Sequence, residues 1–379
     1  MSSAVTVKPV TDKATKHDFL LAPHTVHADD PNWVAPLFLE RDEHLDPRKN
    51  PYFQHADVQL FVAYKNGKPV GRISAQDDRL RLETHKDNKG MFGFLDGIDD
   101  AEVFAALTRS AGDWLKAKGR TGMIGPFSFS INDETGMLVN GFDTPPNMMM
   151  GHGKPYYASQ MEAQGFAKAK DVIAYHYDFA PEPPAILQRV QKRALASGDF
   201  TIRPLKLSDM KNEIRLIMDI FNDAWSNNWG FVPWTQGELD KLGKDLKLLV
   251  NGNYGYIASY KGEPAAFVVT LPNLNEWIKG MNGKLLPFNW ARLIGRVISK
   301  RPTSVRMPLM GVRRKFHGTA TGSALSTLVI EAARAYHAGR GAKSGELSWI
   351  LEDNYPVRKL IEGAGCIPYK TYRIYEKTL

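Results

Sequence analysis

A chain of 379 residues is longer than one hydrophobic core usually supports, so two or three domains are expected. Its 43% hydrophobic and 24% charged residues are ordinary for a globular protein, and the lone Cys366 excludes an intramolecular disulfide or a cysteine-rich metal site. No apolar leader and no run of about 18 apolar residues occurs, which argues against secretion or a membrane span and sets the expectation of a cytoplasmic protein.

In chain order, Leu60 to Ile73 reads as a hairpin with an Asn66-Gly67 turn. Pro155 to Gly165 then reads as a short helix closed by glycine. The segment Ala180-Pro-Glu-Pro-Pro184 interrupts both periods and marks a seam before a fresh helix, Ile186 to Ala196. The second half continues with a strand at Phe200 to Pro204, a helix from Ser208 to Trp225, and a helix from Thr235 to Val250. Thr235 with Glu238 three residues on has the spacing of a capping box. A second hairpin, Tyr256 to Thr270, turns at Lys261-Gly262. Strands follow at Val305 to Val312 and Gly345 to Leu351, helices at Ser323 to Ala338 and Tyr355 to Glu362, and a closing strand at Pro368 to Tyr375. The hairpin and the glycine-terminated helix recur in the same order in both halves. That repetition predicts a duplicated domain, 1–183 and 184–379.

The most informative stretch joins the strand ending at Val312 to the helix ending at Ala338. Gly318 and Gly322 lie four apart there, in Phe316-His-Gly318-Thr-Ala320-Thr-Gly322-Ser-Ala-Leu. A helix start leaves N–H groups without intrahelical partners, and the helix dipole favours an anion beside them. The pair fits either a phosphate cradle or a plain strand-to-helix turn.

The net charge of +8 has one source. Trp277 to Lys315 holds ten basic residues (Lys279, Lys284, Arg292, Arg296, Lys300, Arg301, Arg306, Arg313, Arg314, Lys315) and no acidic one. Such placement points to an anionic partner near the glycine loop. The ten histidines include no His-x-x-x-His pair on a helix, so no metal is expected, and the aromatic stacking motifs of nucleic-acid modules are missing, so no nucleic acid is expected.

The element order β-α-α-β-β-β-loop-α-β-α-β, with the loop just quoted, resembles the GCN5-related N-acetyltransferase (GNAT) superfamily. In that family the loop signature is Arg/Gln-x-x-Gly-x-Gly/Ala; here His317 stands where arginine is usual and Ala320 replaces a glycine. Asn354-x-x-Val357-x-x-Leu360-Ile-Glu-Gly-Ala-Gly365-Cys extends the match to the later helix. The tyrosine that often serves the family as general acid toward the thiolate is Ile361 here. With Asp30-Pro-Asn-Trp-Val-Ala-Pro36 and Gly141-Phe-Asp-Thr-Pro-Pro146, the whole chain is similar to a proteobacterial group of tandem GNAT proteins that includes lipid-amine acyltransferases of the bacterial ceramide synthase type.

The resemblance implies an α/β (α+β) fold of two tandem GNAT-like domains, each a mixed, mostly antiparallel twisted sheet flanked by helices. The first half, whose Gly122 to Glu134 has no such loop before a helix, is expected to lack the cofactor site. Coenzyme A would be held by Met310, Gly311, Val312, Arg313, Lys315, His317, Gly318, Thr319, Ala320, Thr321, Gly322 and Ser323. The implied activity is acyl transfer from acyl-CoA to an amine, with a lipid amine such as a sphingoid base as acceptor. The vacant tyrosine position leaves a non-catalytic acyl-CoA sensor or scaffold as the second reading.

Acyl transfer needs a neutral amine, a polarised carbonyl and a protonated leaving sulfur. Glu346 is a candidate base or a solvated strand end; Asp353 is a base or a helix cap, with Asn354 and Tyr355 beside it. Tyr355, Cys366 and Tyr372 are the open choices for the thiol proton. Arg313, Arg314 and Lys315 either attract phosphate or form a solvated run. Trp225, Asn228, Trp229, Phe231 and Trp234 join the first two helices of the half and are expected to line the acceptor site, or else to be core.

About 35 residues, Leu271 to Ser304, stand where the family needs a short turn. Trp290, Leu293, Ile294, Val297 and Ile298 recur at helical spacing, with Arg292, Arg296 and Lys300 on another face. With Trp277 and Phe288 as further anchors, the segment 277–301 fits an interfacial helix on an anionic membrane, and equally a surface helix packed on the core.

Overall fold

The computed structural model describes residues 4–299 and 301–379, so Lys300 of the basic stretch lies outside the described residues. Two compact units emerge: Met1–Val172 with Ile278–Leu286 and Lys370–Leu379, and Ile173–Trp277 with Pro287–Tyr369. The division falls at Val172/Ile173 rather than in the proline-rich seam, and the units are not the uninterrupted stretches 1–183 and 184–379. The end of the last strand is built into the first unit, a long-range pairing that chain order cannot reveal.

The first unit contains β1 (Thr6–Pro9), α1 (Lys13–Val26), α2 (Phe38–His44), β2 (Ala56–Lys65), β3 (Lys68–Asp78), α3 (Arg79–His85), β4 (Lys89–Gly97) and α4 (Ala101–Ala117). Then come β5 (Gly122–Gly125), the short strands β6 (Phe127–Ser128), β7 (Glu134–Thr135) and β8 (Met137–Asn140), and α5 (Tyr157–Ala163). Strands β1 to β4 are antiparallel neighbours, β5 runs parallel to β4, and the chain's C-terminal strand pairs antiparallel with β5. The β2–β3 hairpin turns where predicted, because Asn66 and Gly67 both accept the positive φ of a primed turn. Phe92, Phe104, Leu107 and Met161 are fully buried at the centre of this unit's core.

Strand β9 (Ala167–Asp178) ends in the second unit. There follow α6 (Ala185–Ala196), β10 (Phe200–Pro204), α7 (Met210–Trp225), α8 (Gln236–Leu249), β11 (Gly255–Tyr260), β12 (Glu263–Pro272), α9 (Leu274–Ile278) and α10 (Asn289–Ser299). The last elements are β13 (Ser304–Val312), α11 (Ala320–Ala338), β14 (Ser344–Leu351), α12 (Tyr355–Gly363) and β15 (Ile367–Thr378). Strands β10 to β13 form an antiparallel meander, and β14 runs parallel to β13. The sheet of each unit is mixed and mostly antiparallel, as expected.

Local signals place the elements around the site. Thr235 and Glu238 form the capping box of α8: the Thr235 N–H donates to Glu238 Oε2 at 2.7 Å, and the Glu238 N–H to Thr235 Oγ1 at 3.3 Å. Helix α7 buries Ile217, Ile220 and Phe221, a spacing of three and four, against Ile257 and Phe267 of the meander. In the insertion, α10 buries none of its residues, whereas Trp277 of α9 is only 5% exposed. Trp277 is therefore a core residue rather than an interfacial anchor.

Candidate active site

Strands β13 and β14 pair in register from Ser304↔Ser344 to Met307↔Leu347, and no pairing continues beyond that point although both strands do. Past it they diverge, and the gap opens into a cavity of about 550 Å³. Met307, Met310, Leu347, Trp349, Leu360 and Ile361 give it a largely apolar lining. Alternation along the β12–β13 ladder decides which β13 backbone groups face it. Arg313 donates to Ala265 O, so Gly311, two residues back, also faces β12, while Met310 and Val312 turn outward. Two contacts agree: Met310 O accepts from the Trp225 indole at 3.0 Å, and Val312 O from His317 Nε2 at 2.7 Å. The amides available to polarise a carbonyl are thus those of Met310 and Val312, not that of Gly311.

Helix α11 begins at Ala320, one turn before the predicted Ser323, with Thr319 as N-cap. Thr319 Oγ1 takes the Gly322 N–H at 3.0 Å, and the first intrahelical bond is Ser323 N–H to Thr319 O. Among the described residues no acceptor meets the N–H groups of Gly318, Ala320 and Thr321. Gly318 has a φ of +70°. A Cβ on Gly322 would lie 2.1 Å from the Phe316 carbonyl oxygen, so only glycine lets the loop close on the helix. Gly318, Thr319, Gly322 and Ser323 all border the cavity, so the loop that carries the open amides runs along its rim. With no acid in the first turn of α11, this end suits an anion.

The cations before the loop are engaged elsewhere. Arg313 pairs with Asp219 and donates to Pro264 O at 2.8 Å; Arg314 donates to Asp223 O and Ser226 Oγ; Lys315 pairs with Glu263. Their acids come from α7 and β12, far away in sequence, and they clamp the loop rather than reach into it. His317 likewise spends Nε2 on Val312 O and acts as a staple between loop and strand.

Glu346 is neither a solvated strand end nor a group bordering the cavity. It is 2% exposed, lies 3.7 Å from Arg306 Nε, and accepts hydrogen bonds from Ser348 Oγ and Tyr369 Oη. Arg306 stands opposite Glu346 in the register and also donates to Ser348 Oγ at 2.8 Å. This buried network holds the β14 backbone beside the cavity. Asn354, not Asp353, is the cap of α12, accepting the Val357 N–H at 3.4 Å. Both Asp353 and Asn354 border the cavity. Tyr355 is 61% exposed and outside the lining; Cys366 and Tyr372 are buried and also outside it. Burial, with Glu331 nearby, pushes the Cys366 thiol up to about 12. Ile361 sits in the wall.

Of the aromatic stretch, Trp225, Asn228 and Trp229 line the cavity, together with Asn227. Phe231 and Trp234 pack on the α7 cluster instead. Sequence reasoning missed Ser348 and Trp349, which complete the wall; Trp349 meets Trp225 edge to face at 6.1 Å. The Ser-Trp pair inside a strand bounded by apolar residues was the available signal.

A splayed parallel pair, outward amides on one strand and an acid-free helix start at its end define a GNAT-type acyltransferase, here in tandem form. The comparisons agree in fold: the chain is similar to a tandem GNAT protein from the clavulanic acid biosynthesis pathway (TM-score 0.59, 13% identity, 99% of this chain and 98% of that one). It is also similar to a GCN5-related N-acetyltransferase from Sphaerobacter thermophilus (TM-score 0.58, 12% identity, 99% and 95%). No family model matches the chain. Over 376 residues it is 45% identical to the bacterial ceramide synthase of Caulobacter vibrioides, covering 99% of this chain and 98% of that protein, and over 378 residues it is 42% identical to protein YghO of Escherichia coli, covering 98% and 95%. The chain belongs to the family of these two relatives, shares the tandem GNAT fold, and is an N-acyltransferase by that kinship.

Proposed function

We propose that the protein transfers a fatty acyl group from acyl-CoA to the amine of a sphingoid base. The diphosphate of coenzyme A rests on the N–H groups of Gly318, Ala320 and Thr321, and the pantetheine arm runs between β13 and β14. The amine nitrogen attacks the thioester carbonyl, whose oxygen is polarised by the outward amides of Met310 and Val312. The C–S bond breaks, an amide forms, and the amine proton passes through Asp353 at the cavity wall to the leaving sulfur. Trp225, Asn228 and Trp229 bound the acceptor's approach. The observation that carries this reading is a largely apolar cavity bordered by the glycine loop and helix start whose Gly318, Ala320 and Thr321 amides are unpaired. The name of the Caulobacter relative, at 45% identity, supports the lipid acceptor.

The test is mass spectrometry of reactions with palmitoyl-CoA and a sphingoid base. Formation of the N-acylated product with release of free coenzyme A is expected. Thiol release with a short water-soluble amine, and none with the lipid amine, would overturn the acceptor assignment.

The same reading places the protein on a cytoplasmic membrane surface. Within α10, Trp290, Ile294 and Ile298 recur at spacings of four with about half or more of their surface in water, and Phe288, just before the helix, is 80% exposed. Arg292 is exposed on the same helix, and α10 has no acid in its first turn. Cations of this kind gain about 1 kcal/mol each beside anionic headgroups, and the stripe suits the acyl boundary. No described helix is long and apolar enough to cross a membrane. Flotation with phosphatidylglycerol vesicles is expected and should be lost in Ile294→Glu; equal flotation of both proteins would refute this contact.

A further inference from the structure

Remote from the cleft residues in the chain, the first unit gathers two histidines and an aspartate. His27 caps the C-terminal end of α1, Asp30 follows three residues later, and His152 lies 122 residues further along the chain. One ligating atom from each stands within 4.8 Å of the other two. The cluster is interior: the His27 side chain is 0% exposed, His152 2% and Asp30 14%.

The hydrogen bonds decide what the rings offer. His27 Nε2 lies 3.0 Å from Asp96 Oδ1, and Asp96 also accepts from Tyr157 Oη at 3.1 Å and from Arg72 Nε at 2.8 Å. Asp96 can only accept, so His27 carries its proton on Nε2 and keeps a lone pair on Nδ1. That Nδ1 is buried without a hydrogen-bond partner, and so is Nδ1 of His152. Buried polar atoms are nearly always satisfied, so two orphaned imidazole nitrogens in one cluster call for an occupant. A histidine backed by a carboxylate through its other nitrogen is the arrangement that orients a metal-ligating ring. The indole of Trp33 stacks on His27, centroids 5.1 Å apart and planes 12° apart, which fixes the ring further.

We propose that His27 Nδ1, one ring nitrogen of His152 and a carboxylate oxygen of Asp30 bind a divalent transition-metal ion, zinc by ligand type, with water completing the coordination. Metal–ligand distances of about 2 Å require the three atoms to draw together slightly on binding. The ion is structural: it ties the end of α1 to the segment before α5, and it lies outside the acyl-transfer residues. Without metal, Asp30 Oδ2 faces His152 Nε2 at 3.0 Å and the Lys154 ammonium at 3.7 Å, and Lys154 also pairs with Asp29. Lys154 is therefore a competitor for the carboxylate. Sequence spacing hides the site, because only His27 and Asp30 are near one another in the chain.

The full-length protein, stripped with EDTA and dialysed against Zn²⁺ at neutral pH, is assayed for metal content and thermal unfolding, and Co²⁺ loading is followed by visible absorption. One equivalent of zinc per chain, a raised unfolding midpoint and a four-coordinate cobalt spectrum are expected. His152→Gln and Asp30→Asn should each weaken binding at least tenfold, whereas Lys154→Met should tighten it several-fold. His17→Gln, an exposed position outside the cluster, should bind as wild type does. Folded wild-type protein that takes up no metal overturns the proposal, as does a folded His152→Gln that keeps it. If His152→Gln does not fold, a Lys154→Met protein that binds no tighter than wild type overturns it.

Discussion

The two units pose the same backbone problem and solve it differently. In each, the last strand of an antiparallel meander runs parallel to its neighbour and then leads into a long helix: β4 beside β5 into α4, and β13 beside β14 into α11. In the first unit the parallel ladder ends at Met91↔Ile124, and side chains fill the space beyond it. Phe94 N–H donates to Ser128 Oγ at 3.0 Å, and Gly93 admits the Phe127 carbonyl, which a Cβ there would meet at 1.8 Å. The Phe129 ring packs within 5.2 Å of His44, Tyr52, Phe53 and Phe94. Helix α4 then opens on Asp100, whose carboxylate caps the Glu102 N–H at 2.9 Å and pairs with Lys65, and Glu102 adds a second negative charge. In the second unit the gap stays open and the helix start carries no acid. Topology supplies the opportunity for an anionic donor, and a handful of side chains decide whether it is taken.

That contrast can be attacked directly. Phe129→Ala would unplug the first unit, but a fully buried ring among four others is core: about 4 kcal/mol of stability should be lost in denaturant melts, with no new coenzyme A binding. A second coenzyme A per chain in calorimetry would break the comparison. Gly322→Val drives a side chain into the Phe316 carbonyl, and coenzyme A affinity should fall more than about 100-fold, or roughly 2.7 kcal/mol. An unchanged dissociation constant would remove the cradle.

The far ends of the helices differ as well. Burial, with Arg340 nearby, holds the His337 imidazole of α11 down at about 4, and its Nε2 is 2.8 Å from Thr270 Oγ1. Between pH 6.5 and 4 the unfolded chain binds a proton that the folded chain refuses. Stability therefore falls as pH drops through this window, by about 2 kcal/mol at pH 5. His337→Gln should flatten the dependence in melts at pH 7.5 and 5; a slope equal to wild type refutes the assignment.

Thr319→Asp imports the acid of α4 into α11 while keeping a competent cap. Coenzyme A should bind about tenfold more weakly, with the melting temperature almost unmoved, because aspartate caps as well as threonine but repels the diphosphate. Tighter binding would count against a phosphate site. Trp225→Phe removes one hydrogen bond to Met310 O, roughly 1 kcal/mol, and should lower kcat more than it raises KM for acyl-CoA. An effect on KM alone would show that the indole does not position the β13 amides.

Much of the second unit could be read in the sequence because its signals are local. Lys261-Gly262, Thr235 with Glu238, and Gly318 with Gly322 each act within a few residues, and all three sit where their chemistry requires. The features that escaped depend on distant partners. Arg313 and Arg314 resemble phosphate ligands in the sequence because Asp219 and Asp223, about 90 positions earlier, are invisible to local charge patterning. Glu346 reads as a candidate base or a solvated strand end because its companions, Arg306 and Tyr369, come from other strands. Trp277 and Trp290 have similar basic neighbourhoods, yet one is core and the other exposed, which tertiary packing alone decides. Even the start of α11 lies a turn earlier than its periodicity suggests, since glycine and threonine obscure a cap that Thr319 provides.

Three of the protein's eight tryptophans, Trp225, Trp229 and Trp349, surround the cavity, and one of them is hydrogen-bonded to the strand expected to carry the reaction. The site thus contains its own optical probe. Whatever enters between β13 and β14 must change the polarity and quenching felt by those indoles, so unlabelled protein can report donor arrival, chain length and residence time through ultraviolet emission alone.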